Sequence, residues 1–308
     1  MDFDFSDDQE QLRDAVRKWV DKGYDFDRRR AIVAAGGFDR AAYGEMAELG
    51  LTGLYVSEDH GGMGMGPTEA MVTMEELGRG IVLEPLTQTL MCSATLQTHA
   101  PAALQAAWLP RMAAGEAIVV LAHQERAARY QLSRCATLAS ESNGAWSVTG
   151  TKSVVAVGDQ ADAFVVPATV NGQIALFLVE RNASGVSTQA YITQDGSRAA
   201  EVVLNKATAQ LITLNGLAAL EEAVDIGIAC TCAEAVGVMD KTMAITVDYM
   251  NTRKQFGVAI ASFQALRHRV ADMKMQLELG RSMSYYASLK LHAPADERRA
   301  ALARAKYQ

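Results

Sequence analysis

Hydrophobic spacing in this chain changes period twice, and a single element type cannot carry both periods. Up to about residue 115 apolar residues recur at helical spacing; from Glu116 to Leu204 they fall in short alternating or continuous runs; from Leu217 the helical period returns. A helical stripe and a strand alternation bury different faces, so each stretch needs a layer of its own. The pattern predicts a multi-domain α+β chain. A helical domain spans residues 1–115, a β-barrel or sandwich domain residues 116–215, and a helical bundle residues 216–308. With 308 residues and 49% hydrophobic content, the chain can fill several cores.

Local signals place the elements. Ser6 followed by Asp7, Asp8 and Gln9 reads as a capping box, and Leu12, Val16, Trp19 and Val20 then share a helical face. Further helices are expected over residues 38–49, 68–77 behind Pro67, and 85–96. Strands are expected over 117–122, 146–148, 153–157, 163–170, 174–179 and 201–204, many of them parted by Asn143-Gly144, Asn171-Gly172 and Asp195-Gly196. Long helices follow to Asn251, over 263–292, and from Asp296 onward. Such helices need neighbours to cover their apolar stripes, so the bundle is expected to be incomplete by one or two helices at Gln308.

Composition narrows the function classes. The net charge is −7 and Lys and Arg form no basic tract of the kind that neutralises phosphates, which argues against a nucleic-acid surface. Cys92, Cys135, Cys230 and Cys232 lack Cys-x-x-Cys spacing and residues 1–5 lack a basic leader, so a reducing, cytoplasmic setting is expected. No apolar run reaches the roughly 18 residues of a membrane span. His60, His99, His123, His268 and His292 show no metal-ligand spacing. The stretch from Gly61 to Gly66 has no following Lys-Ser or Lys-Thr and reads as a structural loop. Met63, Met65, Met71 and Met74 read as packing residues. The charged run from Tyr24 to Arg30 reads as a solvated face, or else as a contact with an acyl carboxylate or a partner subunit.

The joint between two long helices is the sharpest local signal. Thr252, Arg253, Lys254, Gln255, Phe256 and Gly257 close one helical pattern, and Phe263 and Gln264 open the next. Locally this is a helix stop, with cations in the last turn and Gly257 in the left-handed C′ position. The same residues, in a chain ordered helical, β, helical and carrying Gly61-Gly62-Met63-Gly64-Met65-Gly66 behind Val56-Ser57-Glu58, resemble the acyl-CoA dehydrogenase family. Tyr24 to Arg30, Glu84-Pro85, Thr193 to Gly196 and Cys232 to Gly237 together are most similar to its small subunits from heteromeric, dicarboxylyl-CoA-specific enzymes.

That resemblance implies α,β-dehydrogenation of an acyl-CoA with FAD, electrons passing to an electron-transfer flavoprotein or similar acceptor. It implies that Arg253, Gln255, Phe256 and Gln264 reach across a subunit interface to the cofactor's phosphates, a task suited to an arginine fork and a glycine that admits close backbone approach. Two other family segments are altered. Where self-sufficient members have a glycine-rich flavin cradle, this chain has Gln124, Glu125, Arg126, Ala127, Ala128, Arg129, Tyr130 and Gln131. Where they have Lys-x-Trp-Ile-Thr, it has Lys152, Ser153, Val154, Val155 and Ala156, so Val154 offers no ring and Ala156 no hydroxyl to the flavin. One family position for the catalytic base falls on Gly227, and the other would lie past Gln308. Glu234, two helical turns beyond Gly227, is a weak substitute because it stands about 10 Å further along the helix. The resemblance therefore implies a small subunit that completes the FAD site of a large acyl-CoA dehydrogenase subunit. A self-contained homomeric flavin enzyme and a non-catalytic scaffold are the alternatives.

Overall fold

A computed structural model describes residues 5–308. In chain order the helices are α1 (Asp7–Gly23), α2 (Phe26–Ala34), α3 (Arg40–Glu48), α4 (Pro67–Gly80), α5 (Leu86–His99), α6 (Ala102–Ala113), α7 (Gly216–Thr252), α8 (Gln264–Leu289) and α9 (Ala295–Tyr307). The strands are β1 (Val119–Leu121), β2 (Leu138–Ser142), β3 (Ala145–Ala156), β4 (Ala163–Val170), β5 (Gln173–Glu180), β6 (Val186–Ile192), β7 (Arg198–Thr213), β8 (Lys254–Gln255) and β9 (Val258–Ala259). Helices, a β-rich middle and helices follow one another as the periodicity requires. No described helix is long and apolar enough to cross a membrane.

Two compact packing units make up the chain. The first contains Phe26–Gly66 and Leu83–Gly227. Its sheet runs β1-β4-β2-β3-β7-β5 with β6 on β7, and β4 also pairs with β5, so the path closes on itself. Both faces of β4 are buried: Phe164 and Val166 enter one core cluster while Ala163 and Val165 enter another. That two-sided burial is why β4 reads as an apolar run rather than an alternation. Asn143-Gly144 joins β2 to β3 with φ of 52° and 78°, and Asn171-Gly172 joins β4 to β5 with φ of 49° and 81°. Each is a two-residue turn of the kind that follows strand twist.

The second unit contains the described part of the N-terminal segment to Asp25, Pro67–Val82 and Ile228–Gln308. Its first helix is capped as expected: Gln9 N donates to Ser6 Oγ (3.3 Å) and Ser6 N to Gln9 Oε1 (3.0 Å). Helices α4 and α7 cross in backbone contact. A Cβ on Gly78 would lie 2.1 Å from Glu234 O, and one on Gly237 1.8 Å from Glu75 O. Around that crossing Glu76 receives Arg17 (2.7 Å) and Arg79 (3.3 Å), Glu75 receives Arg281 (3.1 Å), and Arg79 also reaches Asp240. Burying carboxylates in α4 is tolerable only because each meets a guanidinium.

Several elements differ from the expectation. The residues from Phe26 to Arg30 open helix α2 with Phe26, Asp27 and Arg30 exposed, as a solvated face would have them, whereas Tyr24 is 1% exposed and Arg28 is held by Glu45 (2.8 Å) and Asp39 (3.4 Å). Helix α6, which is not among the expected elements, forms with Pro110 inside it and Pro101 at its N-cap. Strands β2 and β6 lie at mostly exposed positions and so show little apolar signal. Two short expected strands merge into β3, and β7 extends far beyond the one expected at residues 201–204.

Candidate functional site

The joint after α7 is a β-hairpin, not a helix C-cap. Lys254 pairs with Ala259 and Gln255 with Val258, so Phe256 and Gly257 form a two-residue turn with φ of 53° and 81°. The helical stop read from Arg253, Lys254 and Gly257 is thereby corrected: the helix ends at Thr252, Lys254 is in a strand, and Gly257 serves the turn rather than C′. The reason lies in pairing, because two antiparallel residues on each side satisfy the backbone groups a Schellman motif would otherwise have taken.

Every predicted contact residue at this joint faces outward. Arg253, Gln255, Phe256 and Gln264 are all exposed, Phe256 at 93%. Arg253 is tied by its backbone, its N–H donating to Tyr249 O (2.8 Å) and its carbonyl accepting from Ile260 N (2.9 Å), while its guanidinium has no ion pair among the described residues. The Phe256 ring meets Phe263 edge-on at 6.2 Å, which ties the hairpin tip to the start of α8, where Gln264 is the first residue and no side chain caps the helix. A free arginine fork, an uncapped helix start and an outward aromatic suit a dinucleotide's phosphates and adenine side.

The β-rich unit offers a different local arrangement. Strand β1 feeds a turn whose base is Glu125, 7% exposed; its carboxylate accepts from Ala136 N (2.7 Å), Thr137 N (3.1 Å), Thr137 Oγ1 (2.7 Å) and Lys152 Nζ (2.7 Å). Lys152 is 0% exposed and also donates to Pro167 O (2.8 Å). Burial alone would raise the Glu125 pKa, but the lysine and the threonine donors outweigh it and bring it down to about 2. His123 is pushed down to about 4, first by burial and then by the Lys152 charge. The pairing of Glu125 with Lys152 was invisible in sequence, because two isolated charges 27 residues apart carry no periodic signal.

Neither altered segment supplies a flavin cradle. Arg129 stands at φ 51° within the turn, and no glycine is present from 124 to 134 to let a phosphate approach the backbone. Val154 lies where β3 breaks register between Lys152 and Val155, at φ 54° and 50% exposed, with no ring to cover a flavin. Ala156 pairs with Ala199 and has no hydroxyl to donate. The residues therefore fit the phosphate side of FAD at the hairpin and do not fit its isoalloxazine ring.

The candidate bases fare similarly. Gly227 has no side chain to act as a base, and it packs against Met91, whose Sδ would lie 2.8 Å from an added Cβ. Glu234 is half-buried at the α4–α7 crossing. Cys230 beside it is pushed up to about 12, first by burial and then by the Glu234 charge. The loop from Gly61 to Gly66 folds back on Val56, with Gly64 N donating to Val56 O (2.8 Å) and Met65 N to Leu54 O (2.8 Å), a structural role.

Comparison with known proteins places this arrangement among relatives. Residues 6–116 match the model described as acyl-CoA dehydrogenase, N-terminal domain, and residues 215–308 that described as acyl-CoA dehydrogenase, C-terminal domain. The chain is 26% identical over 305 residues to isovaleryl-CoA dehydrogenase, mitochondrial, of Oryza sativa subsp. japonica, covering 91% of this chain and 73% of that one. It is 28% identical over 302 residues to benzylmalonyl-CoA dehydrogenase of Aromatoleum aromaticum, covering 94% and 80% respectively. Among solved structures it resembles the ChsE4-ChsE5 complex from Mycobacterium tuberculosis, with a TM-score of 0.89, 25% identity, and coverage of 100% of this chain and 83% of that one.

Proposed function

Because the chain belongs to the acyl-CoA dehydrogenase family, an FAD-dependent oxidoreductase family, we propose that it is the small subunit of a heteromeric member, completing an FAD site housed by a large subunit. Its domains would be residues 1–115, 116–215 and 216–308. Its substrate would be an acyl-CoA, of the dicarboxylyl class exemplified by pimeloyl-CoA. The compartment would be the cytoplasm and the acceptor an electron-transfer flavoprotein. The observation that carries this reading is Phe256, 93% exposed on a turn at φ 53°, in a chain that has no glycine from 124 to 131, no ring at position 154 and no hydroxyl at position 156.

When bound, FAD would accept the hydride that leaves the acyl β-carbon. This chain's share would be positional. Arg253 would pair with phosphate oxygens, the start of α8 at Gln264 would offer backbone N–H groups, and Phe256 would cover an apolar edge. We assign removal of the acidic α-proton to a carboxylate of the large subunit; among the described residues Gly227 has no side chain to act and Glu234 stands about 10 Å away along α7.

Co-expression with the large subunit tests the proposal. The expected product binds one FAD per heterodimer, and this chain purified alone is colourless. A yellow homomer of this chain would sink the reading. Arg253→Ala then separates a cofactor role from a scaffold: with assembly intact, FAD is lost in the first case and unchanged in the second.

A further inference from the structure

Helix α8 is anchored at one end only. Its buried residues begin at Leu277 and continue with Ser284, Ala287 and Ser288, while from Gln264 to Gln276 every residue is exposed except the half-buried Val270. Helix α7 behaves alike, with Met250 the one buried residue between 238 and 252. The two helices are joined through the β8–β9 hairpin and meet again at Gly280, where an added Cβ would lie 3.2 Å from Met239 Cε. Together they form an arm that carries Arg253, Phe256 and Gln264 at its tip.

The root of that arm is held by Arg281. Its Nε donates to Glu75 Oε1 on α4 (3.1 Å), one terminal nitrogen donates to Glu278 Oε1 on α8 itself (2.9 Å), and the other lies 3.5 Å from Asp240 Oδ1 on α7. One planar fork therefore meets carboxylates from three helices, with its side chain only 21% exposed. Apolar packing is non-directional, whereas a fork with three fixed partners sets both the rotation of α8 and its angle to α4. About 25 Å of helix separates Arg281 from Gln264, so a tilt of about 10° at the root moves the tip by roughly 4 Å. A hydrogen bond to a phosphate oxygen does not survive such a displacement.

We propose that Arg281 is the positioning residue of the cofactor hairpin: through Glu75 and Asp240 it fixes the direction of the α7–α8 arm, and with it the place where Arg253 and Gln264 meet a dinucleotide. Arg281 itself touches no cofactor. An arm set in advance spares the assembly the cost of ordering it on binding. The inference rests on the cofactor role proposed for the hairpin and adds a residue far from it.

Nitroxide labels at His268→Cys near the tip and Lys18→Cys on α1, with the partly exposed Cys135 and Cys232 replaced by serine, report the arm's position in the full chain by pulsed electron paramagnetic resonance. The test variant is Arg281→Met with Glu75→Gln. It removes the clamp without leaving a buried carboxylate unpaired, because Asp240 keeps Arg79 and Glu278 keeps Lys274. The distance distribution should shift or broaden by roughly 3 Å or more, and the FAD dissociation constant of the assembly with the large subunit should rise at least about tenfold. Arg17→Met removes a guanidinium from Glu76 elsewhere in the same unit, and should leave both quantities as in wild type. An unchanged distribution in the test variant, or equal broadening in Arg17→Met, overturns the proposal whatever the flavin does. Should the arm move while flavin affinity holds, Arg253→Ala decides. Flavin lost in that variant overturns the proposal, whereas flavin retained there removes the hairpin's cofactor role and leaves the placement of the arm by Arg281 standing.

Discussion

Phe256, Asn143 and Asn171 occupy the same first position of two-residue hairpin turns, at φ of 53°, 52° and 49°. Asparagine takes that conformation readily, whereas phenylalanine is strained there. Phe256→Asn should therefore raise the stability of this chain by about 1 kcal/mol, read as a higher melting temperature, while lowering the flavin retained by the assembled enzyme. A fall in both would mean that the ring stabilises the hairpin itself. Burial and charge argue a second residue-level outcome. The Glu125 carboxyl is held down at about 2 from an ordinary 4.5, so its contribution is present above about pH 4.5 and lost as pH falls toward 2. His123 titrates at about 4 against 6.5, and the native state binds fewer protons than the unfolded one between those values. Stability should thus begin to fall below about pH 6.5, and in His123→Gln only below about pH 4.5, a shift that melting temperatures across pH 3–8 would show. Arg253, Gln255, Phe256 and Gln264 were legible in sequence as a joint, because their types and order are local. Lys152 meeting Glu125 was not, since only the folded β unit brings them together.

Elements depend on glycine in opposite ways in α3 and α7. Gly44 has nothing within 4 Å of an added Cβ, whereas on Gly237 that atom would lie 1.8 Å from Glu75 O. Gly44→Ala should stabilise by about 1 kcal/mol through helix propensity. Gly237→Ala should destabilise by about 3 kcal/mol or more, because α4 and α7 must separate and disturb the Glu75–Arg281 and Glu76–Arg17 pairs. Urea midpoints at constant slope measure both, and a neutral Gly237→Ala would refute the backbone contact at the crossing. The same elements show why periodicity worked unevenly. Helix α1 and strands β4 and β5 carried caps, alternation or Asn-Gly turns and were placed within a residue or two. Strand β6 presents Ser187, Gln189 and Ala190 to solvent and pairs only with β7, so its place comes from ladder hydrogen bonds instead of burial. Helix α6 keeps Pro110 because Trp108, Leu109 and Met112 bury enough apolar surface to offset the missing hydrogen bond.

At the scale of the whole chain, sequence order and packing diverge: α1, α4 and the later part of α7 share a unit with α8 and α9, although more than 140 residues separate α4 from residue 228. Periodicity reports element type and says nothing of which elements pack together, so that grouping was not readable in advance. Function at this scale rests on which FAD features the chain keeps. If, as proposed, the 253–257 hairpin serves the phosphate side of FAD while residues 124–131 and 152–156 no longer serve its ring, the asymmetry has a quantitative consequence for an assembly. If each heterodimer holds one FAD and that FAD meets this chain's hairpin, Arg253→Gln in this chain should remove nearly all bound flavin. The same substitution at the matching arginine of the large subunit should leave flavin content near wild type, because that hairpin would face this chain's altered segments at Arg129 and Val154. If both kinds of site were filled, each substitution would remove about half, as expected for two independent sites of equal weight. Flavin absorbance per protein mass in the two variant assemblies distinguishes these cases, and it does so without any knowledge of the substrate.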